Sequence, residues 1–478
     1  MNREIETTNG YTPTIGLEVH AELKTATKMF CGCKNAPHDN EVNTHVCPIC
    51  MAHPGTLPLV NKEAVQKVLD VGTAVGATLA GYTEFDRKNY FYPDIPKGYQ
   101  ISQFAYPLVV GGSLHNVALT RIHLEEDTAR SSHEHGEGSI VDYNRAGVPL
   151  MELVTEPVIH DAETAASFGR ELQLLLRELG VSDANMEKGE MRVEANISVS
   201  KDGSLGTKVE VKNLNSFKAV QDAIRFEVKR HIALLEKGEK VVQETRGWDE
   251  NRSLTFSQRK KESSHDYRYF PDPDIPNFDT VDSGLISVSR QSDISDKIPS
   301  KIREKYLNLG LPSKQIEVLI DIPTLRAYFE YAVVQNTSYA KVAANYLTSD
   351  VVGLMTSGAV VVFDHVLSDH LAAFAELVGM VADGSVTSRV AKDLLPEVLK
   401  GSSAKELVAS RGLATSSDAG ALGTVVDQVI AANESVVAEY KAGKVASMQF
   451  LVGQCMKATK GAGNPAILRS LLEERINK

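Results

Sequence analysis

Four of the chain's five cysteines fall in two close pairs, Cys31-Gly-Cys33 and Cys47-Pro-Ile-Cys50. Two such pairs are the donor set of a tetrahedral zinc site with all four positions filled by thiolate. A site of that kind is structural, because it leaves no open position for water. Free thiols are the competing reading, and His45 is near enough in sequence to compete as a ligand. The fifth cysteine, Cys455, sits in the apolar helical segment Phe450-Leu-Val-Gly-Gln-Cys-Met456 and reads as a core residue.

A second chemistry lies in carboxylates on alternating segments. In Thr14–Leu23 the apolar side is Ile15, Leu17 and Val19, so Glu18, His20 and Glu22 share the other face of a strand. Met191–Val199 alternates in the same way, Asp202-Gly203 is a turn signal, and Thr207–Lys212 alternates again, which predicts a β-hairpin. Its polar faces carry Arg192, Glu194 and Asn196 on one strand and Lys208, Glu210 and Lys212 on the other. A third segment, Arg121-Ile-His-Leu-Glu-Glu-Asp127, clusters Glu125, Glu126 and Asp127. Carboxylates gathered on a sheet repel by about 1 kcal/mol or more per close pair. Mg²⁺, which takes oxygen ligands and bridges to nucleotide phosphates, would offset that repulsion. Solvated faces with local ion pairs to Arg192, Lys208 and Lys212 satisfy the same pattern, and spacing alone does not bring the three segments together.

The elements that must position these groups come from three regions of different texture. The chain has 478 residues, enough for about three domains. Residues 1–295 alternate, with Gly/Pro/Asn turns and aromatic clusters such as Asn89-Tyr-Phe-Tyr-Pro93, and predict strands joined by loops with a few helices. Among these, Asp161 caps a helix with the stripe Phe168, Leu172, Leu175, Leu176 and Leu179, stopped at Gly180. Residues 296–402 show helical spacing, as in Thr324–Val334, and residues 403–478 form a small helical tail rich in Ala, Gly and Ser. The fold class expected is therefore α+β: a mostly antiparallel sheet domain, a helical domain and a helical tail domain.

Composition narrows the function. Hydrophobic residues are 42% and charged residues 24%, the balance of an ordinary soluble protein, and no apolar run spans a bilayer. Residues Met1–Gly10 are polar and acidic, without the pattern of a signal peptide, so the cytoplasm is the expected compartment. A net charge of −11 argues against a protein that coats nucleic acid nonspecifically. The stretch Lys441–Lys478 nevertheless carries seven Lys/Arg against two Glu, a local basic surface or an ordinary solvated tail. There is no G-x-x-x-x-G-K-[ST] loop and no Rossmann fingerprint. The glycine-rich serine motif of an amidase is absent, and Cys455 lacks a glutaminase nucleophile's glycine elbow.

Taken together, several segments resemble the B subunit of the bacterial-type aspartyl/glutamyl-tRNA(Asn/Gln) amidotransferases. They are Ile15-Gly-Leu-Glu-Val-His-Ala-Glu-Leu-Lys24, Phe85-Asp-Arg-Lys-Asn-Tyr-Phe-Tyr-Pro-Asp94 and Tyr99-Gln-Ile-Ser-Gln-Phe104. Asp142-Tyr-Asn-Arg-Ala-Gly-Val-Pro-Leu150, Glu194-Ala-Asn-Ile-Ser198 and Glu210-Val-Lys-Asn-Leu-Asn-Ser-Phe217 follow in the family's order. So do Asp266-Tyr-Arg-Tyr-Phe-Pro-Asp-Pro-Asp274, Phe450-Leu-Val-Gly-Gln454 and Gly461-Ala-Gly-Asn-Pro465. The resemblance covers nearly the whole chain, and that order disfavours a non-catalytic zinc-ribbon RNA-binding protein or a free-standing ligase on a small carboxylate.

The resemblance implies a catalytic cradle domain that uses ATP to phosphorylate the side-chain carboxyl of Glu-tRNA(Gln) or Asp-tRNA(Asn). Ammonia would come from a glutaminase (amidase) A subunit, and a small C subunit would complete the heterotrimer. The family's Mg²⁺ ligands fall on Glu18, His20, Glu125 or Glu126, and Glu194, where some relatives carry Asp. Glu210 is expected as a further ligand or a supporting carboxylate. Lys88, Tyr90 and Arg192 are expected at the nucleotide, with Lys88 stabilising transition-state charge or else pairing with Asp86 or Asp94. The four cysteines match the zinc-bearing branch of the family. Lys457 and Lys460 are the expected tRNA contacts of the basic tail.

Overall fold

The computed structural model describes residues 9–132, 138–260, 267–285, 293–359, 367–415, 419–459 and 461–477. The chain divides into two compact units, Met1–Lys301 and Ile302–Lys478.

The first unit is built on a ten-stranded sheet. Its body is β1 (Thr12–Glu22), β2 (Val117–Glu126), β3 (Pro149–Thr155), β4 (Met191–Ser200), β5 (Val209–Leu214), β6 (Glu244–Asp249) and β7 (Leu254–Lys260). Across the sheet the order is β7-β6-β5-β4-β1-β3-β2, continued by the short strands Val109–Val110 and Thr78–Leu79. All neighbours are antiparallel except β5 and β6. The first strand of the chain thus lies in the middle, paired along its length with β3 and β4.

Alternation decides which face is which. Ile15, Leu17, Val19 and Ala21 of β1 join Met151 and Leu153 of β3 and Val193, Ala195 and Ile197 of β4 in one buried core. The helices are α1 (Lys62–Ala74), α2 (Ala162–Glu178) and α3 (Phe217–Glu236). The stripe Phe168, Leu172, Leu175 and Leu176 of α2 enters the same core, and each such side chain contributes about 1.5–3 kcal/mol by leaving water. α2 starts where predicted, with the Asp161 carboxylate accepting the Thr164 amide at 2.6 Å. The predicted hairpin is β4 and β5. The opposite face of the central strands is left for polar groups.

Beside this sheet lies a three-stranded one, with Asp86–Asn89 between Tyr99–Ser102 and Phe270–Pro271. The second unit is helical throughout its described residues. Its last four helices, Ala419–Ala432, Glu434–Lys441, Ala446–Ala458 and Pro465–Asn477, enclose a core that includes Leu422, Val426, Leu451, Leu468 and Leu472. Cys455 lies in that core, 0% exposed. Among the described residues no helix is long and apolar enough to cross a membrane.

Candidate active site and metal centre

Register brings the polar residues of four strands into rows. Glu18 of β1 lies opposite Glu194 of β4, and His20 lies between Arg192 on one side and Glu152 of β3 on the other. Glu152 in turn faces His123 of β2. Glu125, two residues beyond His123, shares its face by alternation. The His20 Nε2 is 3.4 Å from Glu152, 3.5 Å from Glu125 and 3.8 Å from Glu18. His123 Nε2 lies 3.4 Å from the same Glu152 oxygen, Oε2. On the far side, Lys212 Nζ holds Glu194 at 2.7 Å, and the Thr245 hydroxyl of β6 donates to Glu210 at 2.7 Å.

The electrostatics follow from the crowding. Burial raises the Glu18 pKa to about 7, helped by the charges of Glu152 and Glu194 and opposed by His20 and Lys212. Burial alone would lower His20, yet Glu152, Glu125 and Glu18 outweigh it and raise the imidazole to about 9. Burial likewise opposes ionisation of Glu152, but His123 and His20 hold it well below the usual carboxylate range.

Three ligand sets have donor atoms within 4.8 Å of one another: Glu18, His20 and Glu152; His123, Glu125 and Glu152; and Glu18, Glu194 and Glu210. Glu152 and Glu18 each belong to two sets. The donors are mainly carboxylate oxygens, which suits a hard divalent cation. One Glu125 oxygen, Oε2, is buried without a hydrogen-bond partner, as is His20 Nδ1. A buried polar group in that condition costs about 1–3 kcal/mol, which a bound cation would offset at the carboxylate. The residues present therefore fit Mg²⁺.

Glu152 and His123 were not predicted as site residues. Their signals are a lone carboxylate at the centre of the apolar run Pro149–Thr155, and a histidine two positions before Glu125 on an alternating strand. Glu126 turns away from the set. Its carboxylate pairs with Lys97 Nζ at 2.6 Å and accepts the Ile101 amide at 3.0 Å, because adjacent strand residues face opposite sides. Asp127 also leaves the cluster, held by Arg145 at 3.5 Å and by Arg192 at 3.3 Å. Arg192, expected at a nucleotide, thus already has a carboxylate partner.

Lys88 does not pair with Asp86 or Asp94. Asp86 accepts the Phe104 and Ala105 amides at 2.8 and 3.1 Å. The Lys88 Nζ lies instead over the rings of Tyr267, at 5.2 Å, and Tyr90, at 5.9 Å. Burial would lower its pKa, but Glu125, Tyr269 and Glu152 outweigh that and keep it a cation. Tyr90 donates its hydroxyl to Gln100 at 2.8 Å.

The four cysteine sulfurs Cys31, Cys33, Cys47 and Cys50 also lie within 4.8 Å of one another. Cys47 and Cys50 Sγ are 3.9 Å apart, against about 3.8 Å for the edge of a tetrahedron with Zn–S bonds of about 2.3 Å. The set fits zinc. His45 instead pairs with Asp39 at 2.9 Å. Lys28, 0% exposed, places its ammonium 3.9 Å from Cys50 Sγ and 3.1 Å from the Tyr143 carbonyl. Cys50 is pulled down to about 5, first by the Cys31 thiol and also by Lys28. Gly147 closes over this corner with φ +84°, and a Cβ there would sit 3.6 Å from Cys50 and 3.7 Å from Lys28.

A sheet domain with this acidic face, followed by helical domains, is of the GatB/GatE catalytic-domain class. The family model described as the GatB/GatE catalytic domain matches residues 13–285, and one described as the GatB domain matches residues 327–476. The chain is 44% identical over 471 residues to the aspartyl/glutamyl-tRNA(Asn/Gln) amidotransferase B subunit of Thermus thermophilus, covering 98% of this chain and 99% of that one. It is 42% identical over 480 residues to the Moorella thermoacetica protein of the same name, covering 98% and 100%. The chloroplastic/mitochondrial glutamyl-tRNA(Gln) amidotransferase B subunit of Physcomitrium patens is 40% identical over 492 residues, covering 98% of this chain and 86% of that one. The chain belongs to the family of aspartyl/glutamyl-tRNA(Asn/Gln) amidotransferase B subunits.

Proposed function

We propose that the first unit activates a carboxyl group carried on tRNA by phosphorylating it with ATP. The convergence of Glu18, His20, Glu125 and Glu152 on one sheet face, with the Lys88 cation beside it, carries this reading. A carboxylate repels nucleophiles. Its oxygen attacks the γ-phosphorus of ATP, ADP leaves, and the side chain becomes an acyl phosphate with a good leaving group. Ammonia then attacks the acyl carbon and inorganic phosphate departs, leaving Gln-tRNA(Gln) or Asn-tRNA(Asn).

Phosphoryl transfer is mainly positioning and charge neutralisation. Glu18, His20, Glu125, Glu152, Glu194 and Glu210 are the residues that would hold Mg²⁺, and when bound it neutralises phosphate oxygens. Lys88 supplies a fixed positive charge to the transferring group. Lys212 and Thr245 hold Glu194 and Glu210 in place. The cysteine set holds zinc and pins the loop that carries Lys28.

Ammonia is supplied by a glutamine-hydrolysing A subunit, in a complex completed by a small C subunit. Residues 1–295 serve as the catalytic cradle, 296–402 as a helical domain and 403–478 as the tRNA-binding tail, working in the cytoplasm. Lys457 is exposed on the helix Ala446–Ala458, as a phosphate contact would be, and Lys460 lies outside the described residues.

The test is ATP turnover by the assembled complex with Glu-tRNA(Gln), with uncharged tRNA as the control. Stimulation by the mischarged tRNA alone, abolished in Glu18→Ala and Glu152→Ala, is the expected result. Turnover indifferent to the aminoacyl group would mean a different reaction.

A further inference from the structure

Around Lys88 the aromatic side chains form a connected series. Tyr92 meets Tyr90 with ring centroids 6.1 Å apart, and Tyr90 meets Tyr267 at 5.8 Å. Tyr267 meets Tyr269 at 6.1 Å, and Tyr269 stacks on Phe104 at 4.3 Å with an interplanar angle of 10°. Both ends of the series are in solvent: Tyr92 is 51% exposed and Phe104 48%. The middle adjoins the Lys88 cation, whose Nζ lies 5.2 Å from the Tyr267 ring centroid and 5.9 Å from that of Tyr90.

The backbone is strained to keep this arrangement. Arg268, exposed between the two tyrosines, has φ +46°, a region that non-glycine residues rarely adopt. The Asn89 amide over-determines that turn by donating to the carbonyls of both Tyr267 and Arg268, at 3.2 and 2.9 Å. Single exposed aromatics are ordinary on a protein surface. A connected series with solvent at both ends, an exposed arginine on the turn between two of its rings and a strained backbone there is suited to ligand rings.

We propose that Tyr92, Tyr90, Tyr267, Tyr269 and Phe104 form a stacking surface for the unpaired 3′ end of the tRNA whose aminoacyl group enters the acidic face. This rests on the reading that the carboxyl activated there is carried on RNA. Base–aromatic stacking tolerates any base, as recognition of a single-stranded end requires. The adenine of ATP is one ring. The series runs past Lys88 to solvent on both sides, which matches several consecutive bases, and the exposed Arg268 adds a positive charge on the turn between Tyr267 and Tyr269.

The experiment compares the affinity of the full chain for intact tRNA and for the same tRNA lacking its last three nucleotides. It is repeated with the variant Tyr92→Leu/Phe104→Leu and the control Tyr92→Phe/Phe104→Tyr. Stacking of one or more bases makes the intact tRNA bind at least about fivefold more tightly to the wild-type protein. The Leu variant should lose that difference, the control should keep it, and affinity for a non-hydrolysable ATP analogue should not change. Circular dichroism checks that the variants fold, and both substituted rings are about half exposed. If trimming weakens binding equally in wild type and Leu variant, the stacking surface is refuted. If only the nucleotide analogue binds more weakly to the variant, the rings hold ATP and the proposal is overturned. If the wild-type chain binds neither RNA, the functional reading itself fails, which is a separate outcome.

Discussion

Glu227 of α3 is fully buried among cations, and its replacement by glutamine gives a quantitative test of how the far edge of the sheet is held. Its carboxylate lies 2.7 Å from Arg230, 3.2 Å from Arg246 of β6 and 3.2 Å from His231, and it accepts the Thr255 hydroxyl of β7. Burial alone would raise its pKa, yet the adjoining His231 ring and the hydrogen bonds from Arg230 and Thr255 bring it from 4.5 to about 2. A difference of that size corresponds to about 3 kcal/mol of stability at neutral pH. Because the folded-state pKa is depressed, the contribution is complete above about pH 5 and fades as pH falls towards 2. About half of it should remain near pH 3. Glu227→Gln keeps the shape and removes the charge, taking the carboxylate from beside Arg230 and leaving Arg246 with Glu244 alone, so a loss of about 3 kcal/mol is expected at pH 7. The chain has a single tryptophan, Trp248, buried in β6 with Phe226 of α3 at 6.3 Å. Its fluorescence during urea unfolding therefore reports on the elements that Glu227 joins. A penalty below about 1 kcal/mol at pH 7, or one that does not shrink between pH 7 and pH 3.5, would refute the reasoning. The same β6 carries Thr245, which holds Glu210, so the variant should also weaken metal binding at the site.

Glu152→Gln removes a carboxylate shared by two ligand sets and should lower tRNA-stimulated ATP turnover per folded molecule by about a hundredfold or more, and it should also lower stability at pH 7, because His123 and His20 hold that carboxylate below its usual range. Glu126→Gln should destabilise by about 1–3 kcal/mol through Lys97 and the Ile101 amide with little effect on turnover per folded molecule. Cys47→Ser should reduce zinc from about one per chain to a weakly held fraction by metal analysis, whereas Cys455→Ser should leave zinc content unchanged. In Lys28→Met, zinc should pass to a chelator about ten times faster than in wild type. Lys457→Ala should weaken tRNA binding and reduce the slope of log affinity against log salt by about one, and an unchanged slope would exclude it as a phosphate contact.

What could be read in the sequence follows from how local the information was. Alternation in β1 and β4 placed Glu18, His20 and Glu194 on one face, because period 2 is a property of the strand alone. The cysteine pairs were legible for the same reason. Glu152 was not, because β3 is central and apolar nearly throughout, so no alternation marks its lone charge. Glu126 and Asp127 looked like partners of Glu125 by adjacency, yet alternation separates Glu126, and Asp127 answers to Arg192, 65 residues away. Lys28 carries no local sign of burial, since the carbonyl and sulfur that receive it come from distant segments.

The position of β1 gives the acidic face a role in checking its own construction. A slip of one residue in this strand would send Glu18, His20 and Glu22 into the core beside Phe168 and Leu172, and would turn Leu17 and Val19 towards the carboxylates. Both halves of that exchange are severe, because buried charges would lose every partner just as the ligand sets lost theirs. A single-residue insertion or deletion within β1 is therefore a frameshift in three dimensions. Substitution can be absorbed one side chain at a time, whereas a change in strand length erases the site and the core together.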